Sequence, residues 1–389
     1  MADAPLKNLK VIELARVLAG PWIGQTLADL GADVIKVESP KGDDTRNWGP
    51  PSIETKNEVT AAYFHACNRG KRSIVADFAT SEGRKIVIAL VRSADVLIEN
   101  FKVGGLQRYG LDYAALSAIN PRLIYCSVTG FGQTGPYAAR AGYDFMIQGM
   151  SGIMDLTGDP AGGPQKMGVA FADIFTGLYG VIAIEAAILA RAQTGLGQHI
   201  DMALFDCMTG VLANQAMNFL STGISPTRMG NTHPNIAPYQ TFPVIDGHVI
   251  IAVGNDSQFQ RLCDALGLDG VASSPQFVTN ALRVTNQSEL SVRLSTATAT
   301  RSRDALLIAL EAAGVPAGPI NTVADVFDDP QFQSRKMRID PHGVPGLRTP
   351  IVMSESSLNF ERRSPGLGEH TEEILGEIRA AAEAGMDQT

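Results

Sequence analysis

Cysteine is scarce and scattered in this chain. Cys67, Cys126, Cys207 and Cys263 lie far apart, no two at the spacing of a metal site, and they make no disulfide framework. His65, His199, His248, His342 and His370 form no metal pair either, so no metal is expected. Positive charge is in deficit: the net charge of -8 argues against nucleic acid as a partner, although a local basic patch can still bind phosphates. There is no internal repeat and no low-complexity tract. The N-terminal stretch MADAPLKNLKVIEL carries no apolar core with a cleavage site. One apolar run, residues 168–190, is long enough to cross a membrane, but Asp173 and Glu185 fall inside it. Each would cost roughly 2.5–3.5 kcal/mol near a bilayer centre. A soluble, cytoplasmic protein with no membrane partner is therefore expected.

What the chain does have suits an enzyme. Of its 389 residues 45% are hydrophobic and 19% charged, enough for a sizeable core in one large or two domains. Short apolar runs alternate with helical periods. Residues 10–14, 32–38, 73–76, 95–99 and 123–128 read as strands, and 22–30, 81–93 and 111–119 as helices. Such alternation predicts an α/β fold with a parallel sheet covered on both faces. Past Gly195 a further strand opens at Gly197, followed by one long helix over 203–221 and a loop-rich stretch to Tyr239. Residues 242–319 then read as a smaller α/β module, and 371–384 as a terminal helix.

The first βαβ unit ends its second strand at Glu38, where a dinucleotide-binding domain keeps its ribose-binding acid. The phosphate loop fails that reading. Residues 15–21 are Ala-Arg-Val-Leu-Ala-Gly-Pro, a single glycine followed by proline rather than G-x-G-x-x-G. Glu38 reads as a strand-end charge. Asp173, at the mouth of the greasy run, has two readings from the residues alone: an N-terminal cap, worth about 1 kcal/mol, or a catalyst held beside a helix end.

Several stretches in order carry a resemblance. They are Ala19-Gly20-Pro21, the run 31–38 (GADVIKVE), Asn68 followed by Lys71-Arg72-Ser73, and 95–101 (DVLIENF). Then come 120–125 (NPRLIY), 130–137 (GFGQTGPY), 141–144 (AGYD), 172–177 (ADIFTG) and 368–371 (GEHT). Together they resemble the class III CoA-transferases of the CaiB/BaiF type, the family of the formyl-CoA and carnitine CoA-transferases, with the α-methylacyl-CoA racemases as a branch. The likeness covers almost the whole chain.

The resemblance implies that Asp173 is the catalytic carboxylate, in the A-D-x-x-T-G-x-Y position. An aspartate has an ordinary pKa of about 3.9 and needs no base to become a nucleophile. It would attack an acyl-CoA thioester, take CoA as an aspartyl thioester and pass it to an acceptor carboxylate, in a site closed to water. For coenzyme A the resemblance implies Leu18, Ala19, Lys71, Arg72, Asn100, Phe101, Lys102, Arg108, Arg140 and Tyr143, the basic ones gripping phosphates through charge-assisted hydrogen bonds. One basic position of the formyl-CoA type falls on Ser39, so part of that grip must differ.

The racemase branch needs a histidine in A-G-H-D, where this chain has Tyr143. A tyrosine, with an ordinary pKa of about 10, is a poor base at neutral pH, which favours transfer over racemisation. A non-catalytic CoA-binding scaffold is a third class, against which the full setting of Asp173 speaks. The glycine run that shields the active site in formyl-CoA transferases is missing; residues 230–239 read GNTHPNIAPY instead. Asn231, His233 and Asn235, with Arg46 or Arg228, are candidates to hold a second carboxylate, which points to a short dicarboxylic donor such as succinyl-CoA. His233 by itself reads as a structural loop histidine, and Trp48 and Tyr63 as packing residues.

The fold expected from the likeness is a large Rossmann-like CoA-binding domain over 1–221, a linker and small α/β domain over 222–325, and a return segment over 326–389 that completes the large domain. The likeness also implies an interlocked homodimer.

Overall fold

The structure is a computed structural model, and it describes residues 3–55 and 58–386. It divides into two units: Met1–Ile153, Lys166–Leu220 and Gln331–Thr389 form the first, and Met154–Gln165 with Ser221–Pro330 the second. The short excursion 154–165 therefore belongs with the second unit, and the chain returns to the first at Gln331.

The first unit is built on a parallel sheet. Its strands are β1 (Lys10–Glu13), β2 (Asp33–Glu38), β3 (Arg72–Val75), β4 (Val96–Glu99), β5 (Ile124–Thr129) and β6 (His199–Ala203). They lie in the order β3-β2-β1-β4-β5-β6, every neighbouring pair parallel. Side chains alternate between the two faces, as a strand's period of two requires. Val11, Val96, Ile98, Ile124 and Cys126 enter one core, with Ile23 and Leu27 of α1 (Ala19–Asp29). Ile12, Leu97 and Tyr125 enter the other, with Val87, Leu90 and Val91 of α2 (Ser81–Ser93) and Leu116 of α3 (Tyr113–Ile119). Burial on both faces explains why these strands are nearly continuous apolar runs.

Four more helices matter for the site: α4 (Asp144–Met150), α5 (Phe171–Thr194), α6 (Leu204–Gly210) and α7 (Ala213–Thr222). The single helix expected over 203–221 is thus two, because glycine is a weak helix former and the chain turns between Gly210 and Ala213, which takes a φ of 46°. The hairpin of Ser52–Glu54 and Val59–Ala61 escaped the sequence reading, since three-residue strands carry no usable period. α5 is long and apolar enough to cross a membrane. In the fold it buries Ala172, Thr176, Gly177, Gly180, Val181 and Ile184, and it leaves Leu178, Tyr179, Ile182 and Leu189 exposed.

The second unit carries an antiparallel sheet of β7 (Tyr239–Val244), β8 (Gly247–Ala252) and β9 (Ala317–Pro319), with β8 in the middle. Helices α8 (Asp256–Leu266), α9 (Gln287–Thr298) and α10 (Arg303–Ala312) cover it through Phe259, Leu262, Leu290 and Leu306. A last helix, α11 (Thr371–Met386), returns to the first unit, where Ile374 joins the α2 face.

Beneath the β1–α1 loop the first unit buries charge. Lys36, Lys71 and Glu13 are each fully buried. Glu13 lies between the two ammoniums, 3.1 Å from Lys36 and 2.8 Å from Lys71. Gly24 makes room: a Cβ there would stand 1.9 Å from the Glu13 carboxylate and 3.2 Å from Lys71 Cε. Gly24→Ala should therefore lower the free energy of unfolding by about 1–3 kcal/mol through overpacking. Denaturant titration checks this, and an unchanged midpoint would show that the charges are not tightly enclosed.

Candidate active site

The strand order places a crevice at the carboxyl ends of β1 and β4, where the winding direction of the sheet reverses. Ligands of open α/β sheets bind at such points. A cavity of about 470 Å³ opens there, and the loops after β1, β4 and β5 line it. Leu18 and Ala19 come from the first loop, Asn100, Phe101, Lys102 and Arg108 from the second, and Arg140 and Tyr143 from the third. Asp173 closes the set.

Asp173 stands in the first turn of α5. It is not the helix cap. Ala170 takes that position and has no side chain to do the work. The Asp144 carboxylate does it instead, accepting the Ala172 N–H at 2.8 Å and Gln148 Nε2 at 2.8 Å. Gly130 and Gly142 allow this approach, since a Cβ on Gly142 would sit 2.4 Å from the Gly130 Cα. Asp173 lines the cavity with Ala19, the first residue of α1, whose N–H favours the charged carboxylate. Burial pushes its carboxyl up, the nearby Asp144 charge adds to that, and the Ala19 N–H opposes both; it settles at about 7. Tyr63 faces the same charge: burial and then Asp173 raise its phenol to about 12, so it stays protonated. Its ring meets Trp48 edge-on at 5.3 Å.

The cations of the cavity are exposed, and two of them sit on aromatic faces, Arg140 4.0 Å from the Tyr137 centroid and Arg108 4.6 Å from Tyr109. Among the described residues no carboxylate lies within 4.0 Å of Lys102, Arg108 or Arg140, which leaves them free for phosphate oxygens. Three lining residues that sequence reasoning missed add to the grip. Arg16 brings a further guanidinium over Phe101, and Phe78 packs edge-on against Phe101 at 5.6 Å and Tyr109 at 5.3 Å. Asp144 was missed as well; its signal was a carboxylate directly ahead of a helical period.

Two expected CoA ligands lie elsewhere. Lys71 is locked in the core, donating to Glu13, to the Pro21 carbonyl and to Asn68 Oδ1, each at 2.9 Å. Arg72 pairs with Asp33 at 2.5 Å and with Glu373 and Glu377 of α11 at 2.8 and 2.6 Å, fastening that helix to β3. Neither lines the cavity. Asn100 lines it, but its amide is spent on the main chain of Arg16, accepting the N–H at 2.9 Å and donating to the carbonyl at 2.6 Å. Glu38 accepts from Arg46, Ser73 Oγ and the Asp43 N–H, so it holds the fold rather than a ribose. The same bonds, with Glu58 and the Pro365 carbonyl, use up Arg46 and remove it as a holder of a second carboxylate. In the second unit Arg228 pairs with Asp155, and the His233 ring accepts the Asn235 N–H and rests on Tyr239 at 5.3 Å.

The chain has known relatives. The family model for CoA-transferase family III matches residues 6–371. A succinate–glutarate CoA-transferase of Agrobacterium fabrum is 56% identical over 382 residues, covering 96% of this chain and 96% of that one. A succinyl-CoA:glutarate CoA-transferase of Homo sapiens is 39% identical, covering 96% of this chain and 86% of that one. The crystal structure of a CaiB/BaiF family protein from Brucella suis superposes with a TM-score of 0.89 at 67% identity, over 97% of this chain and 100% of that one. The chain belongs to CoA-transferase family III, and it is an enzyme of that type with acyl-CoA as substrate.

The titration of Asp173 gives a testable consequence. A carboxylate attacks only as the anion, so turnover should rise with pH through about 7 and level off above it. Asp144→Asn removes one of the two influences that raise Asp173 while keeping an acceptor for the Ala172 N–H. The inflection should then move to lower pH. A pH–rate profile that is flat through this range, or an inflection that moves up in the variant, would contradict the assignment.

Proposed function

We propose that this enzyme carries CoA from succinyl-CoA to a short dicarboxylic acid such as glutarate through a covalent intermediate on Asp173. The observation that carries the reading is the position of Asp173: a half-buried carboxylate on the Ala19 N–H, in a cavity rimmed by Arg16, Lys102, Arg108 and Arg140. The names of the Agrobacterium and human relatives support the donor and acceptor.

The chemistry follows from the geometry. Lys102, Arg108, Arg140 and Arg16 hold the phosphates, and Phe78 and Phe101 offer an apolar wall to the adenine. Asp173 attacks the thioester carbonyl, the C–S bond breaks, and a mixed anhydride and CoA thiolate result. The thiolate attacks the aspartyl carbonyl, giving the aspartyl-CoA thioester and the free donor acid. An acceptor carboxylate repeats the two steps in reverse and leaves as its CoA thioester. Each acylation of Asp173 frees the Ala19 N–H to donate to the oxygen of the new carbonyl.

We further propose that a second copy of the chain covers the exposed apolar residues of α5, Leu178, Tyr179, Ile182 and Leu189, in an interlocked homodimer. An apolar face of this kind, left in water, is a cost that a partner removes.

The reading is open to direct measurement. Asp173→Ala should reduce transfer by roughly a thousandfold or more with the fold intact, and hydroxylamine after a productive acyl-CoA should modify Asp173 alone. A panel of acyl-CoA donors and carboxylic acceptors, with products read by mass spectrometry, should show transfer from succinyl-CoA to dicarboxylic acids. Transfer only from monocarboxylic acyl-CoAs would overturn the substrate proposal, and loss of optical purity in a 2-methylacyl-CoA without transfer would replace it by racemisation. A monomeric mass at micromolar concentration would refute the dimer.

A further inference from the structure

Two lysines stand where an ammonium is costly. Lys36 and Lys71 are fully buried, and each has three N–H donors to satisfy. Lys36 spends its donors on Glu13, on Asp43 at 3.0 Å and on the Ala15 carbonyl at 2.9 Å. Lys71 spends its own on Glu13, Asn68 and the Pro21 carbonyl. Two ammoniums thus face two carboxylates, and the bonds left over go to Asn68 Oδ1 and to the main-chain carbonyls of Ala15, at the start of the β1–α1 loop, and Pro21, in the first turn of α1. Asp43 also takes the Val17 N–H, at 3.3 and 3.2 Å. Val17 has a φ of 72°, a conformation a β-branched residue avoids and keeps only when its surroundings impose it. The β1–α1 loop ends at Ala19, which lines the cavity together with Asp173 and whose N–H favours that carboxylate as the anion.

Stability alone does not call for this arrangement. A buried ion pair is commonly no better than apolar residues of the same volume. What it supplies is fixed geometry at the β1–α1 loop. We propose that Lys71 is a positioning residue for the nucleophile: from within the core it holds the Pro21 carbonyl and the first turn of α1, so that the Ala19 N–H stays aimed at Asp173. Lys71 acts through that loop and touches no substrate. The inference rests on Asp173 as the nucleophile.

The test is Lys71→Met, which keeps the length of the stem and removes the ammonium. Asp144 and Tyr63 are the titratable groups facing Asp173, and Glu13, Lys36 and Cys67 face Lys71; all are unchanged in the variant. The expected result is a kcat lower by about a hundredfold, the order produced by a small misplacement, with KM for the acyl-CoA unchanged. The inflection of the pH–rate profile should move up, because the Ala19 bond that favours the carboxylate is loosened. If the single variant does not fold, Glu13→Gln with Lys71→Met removes both members of the pair and should show the same kcat and pH shifts. A raised KM for CoA substrates with the pH profile unmoved would overturn the proposal and return Lys71 to the phosphates. A kcat loss that matches the fraction of unfolded protein, with the profile unmoved, would reduce Lys71 to a structural role and overturn it too. Failure of the underlying reading looks different: turnover would survive Asp173→Ala whatever residue occupies position 71.

Discussion

Charge enclosed in a low-dielectric core must find partners, and in this enzyme that constraint shapes the site. Glu13, at the end of β1, is shared by Lys36 of β2 and by Lys71, which directly precedes β3. Neither ammonium satisfies all its donors on carboxylates: Lys36 reaches the Ala15 carbonyl of the adjoining loop, and Lys71 the Pro21 carbonyl in the first turn of α1. The loop is held at further points. Asn100 clips Arg16, Asp43 clips Val17, and the start of α1 is fixed in front of Asp173. The difference between the two lysines follows from the same balance. The charges of Glu13 and Asp43 outweigh the burial of Lys36 and hold it above the usual lysine range, whereas burial wins at Lys71 and pulls it below.

Asp173 sits at the meeting of opposed influences. The first turn of α5 and the first N–H of α1 both favour a negative charge there. Burial and the neighbouring Asp144 oppose it, and these win. Asp144 is placed to do two things, since the bond that caps α5 also brings its charge near Asp173. A carboxyl that titrates at about 7 is anionic in a sizeable fraction of molecules at neutral pH, yet less stabilised as an anion than a free aspartate. Deprotonation of such a group in the folded state works against stability as pH rises, which ties the chemistry of the site to a small cost in the fold.

Much of this was legible in the sequence because strands buried on both faces write themselves as short apolar runs. The boundaries read for β2, β4 and β5 fall within a residue of those in the structure. The cavity gathers Asp173, Lys102, Arg108, Arg140 and Tyr143, positions that the motifs had singled out, while their roles belong to the proposal. Lys71 and Arg72 were expected at the phosphates because the carboxylates that occupy them in the fold are remote in the chain. Glu13 is 58 positions from Lys71, and Glu377 is 305 from Arg72. Arg46 differs, since two of its partners are near in the chain, Glu38 at 8 positions and Glu58 at 12, and only the Pro365 carbonyl is remote. Arg16, Phe78 and Tyr109 had no local signal: only the strand order brings three separate loops to one crevice.

The most direct measurement concerns oxygen. In the covalent route each transfer exchanges one oxygen of Asp173 with a substrate carboxylate, because the aspartyl carbonyl is released from one anhydride and reformed from another. Turnover with an acceptor acid labelled with heavy oxygen in its carboxylate should therefore place the label in the peptide containing Asp173, first in one oxygen and then in both. It should later appear in the released donor acid. An enzyme that turns over many times with no label in that peptide, or with label in another residue, would contradict the account.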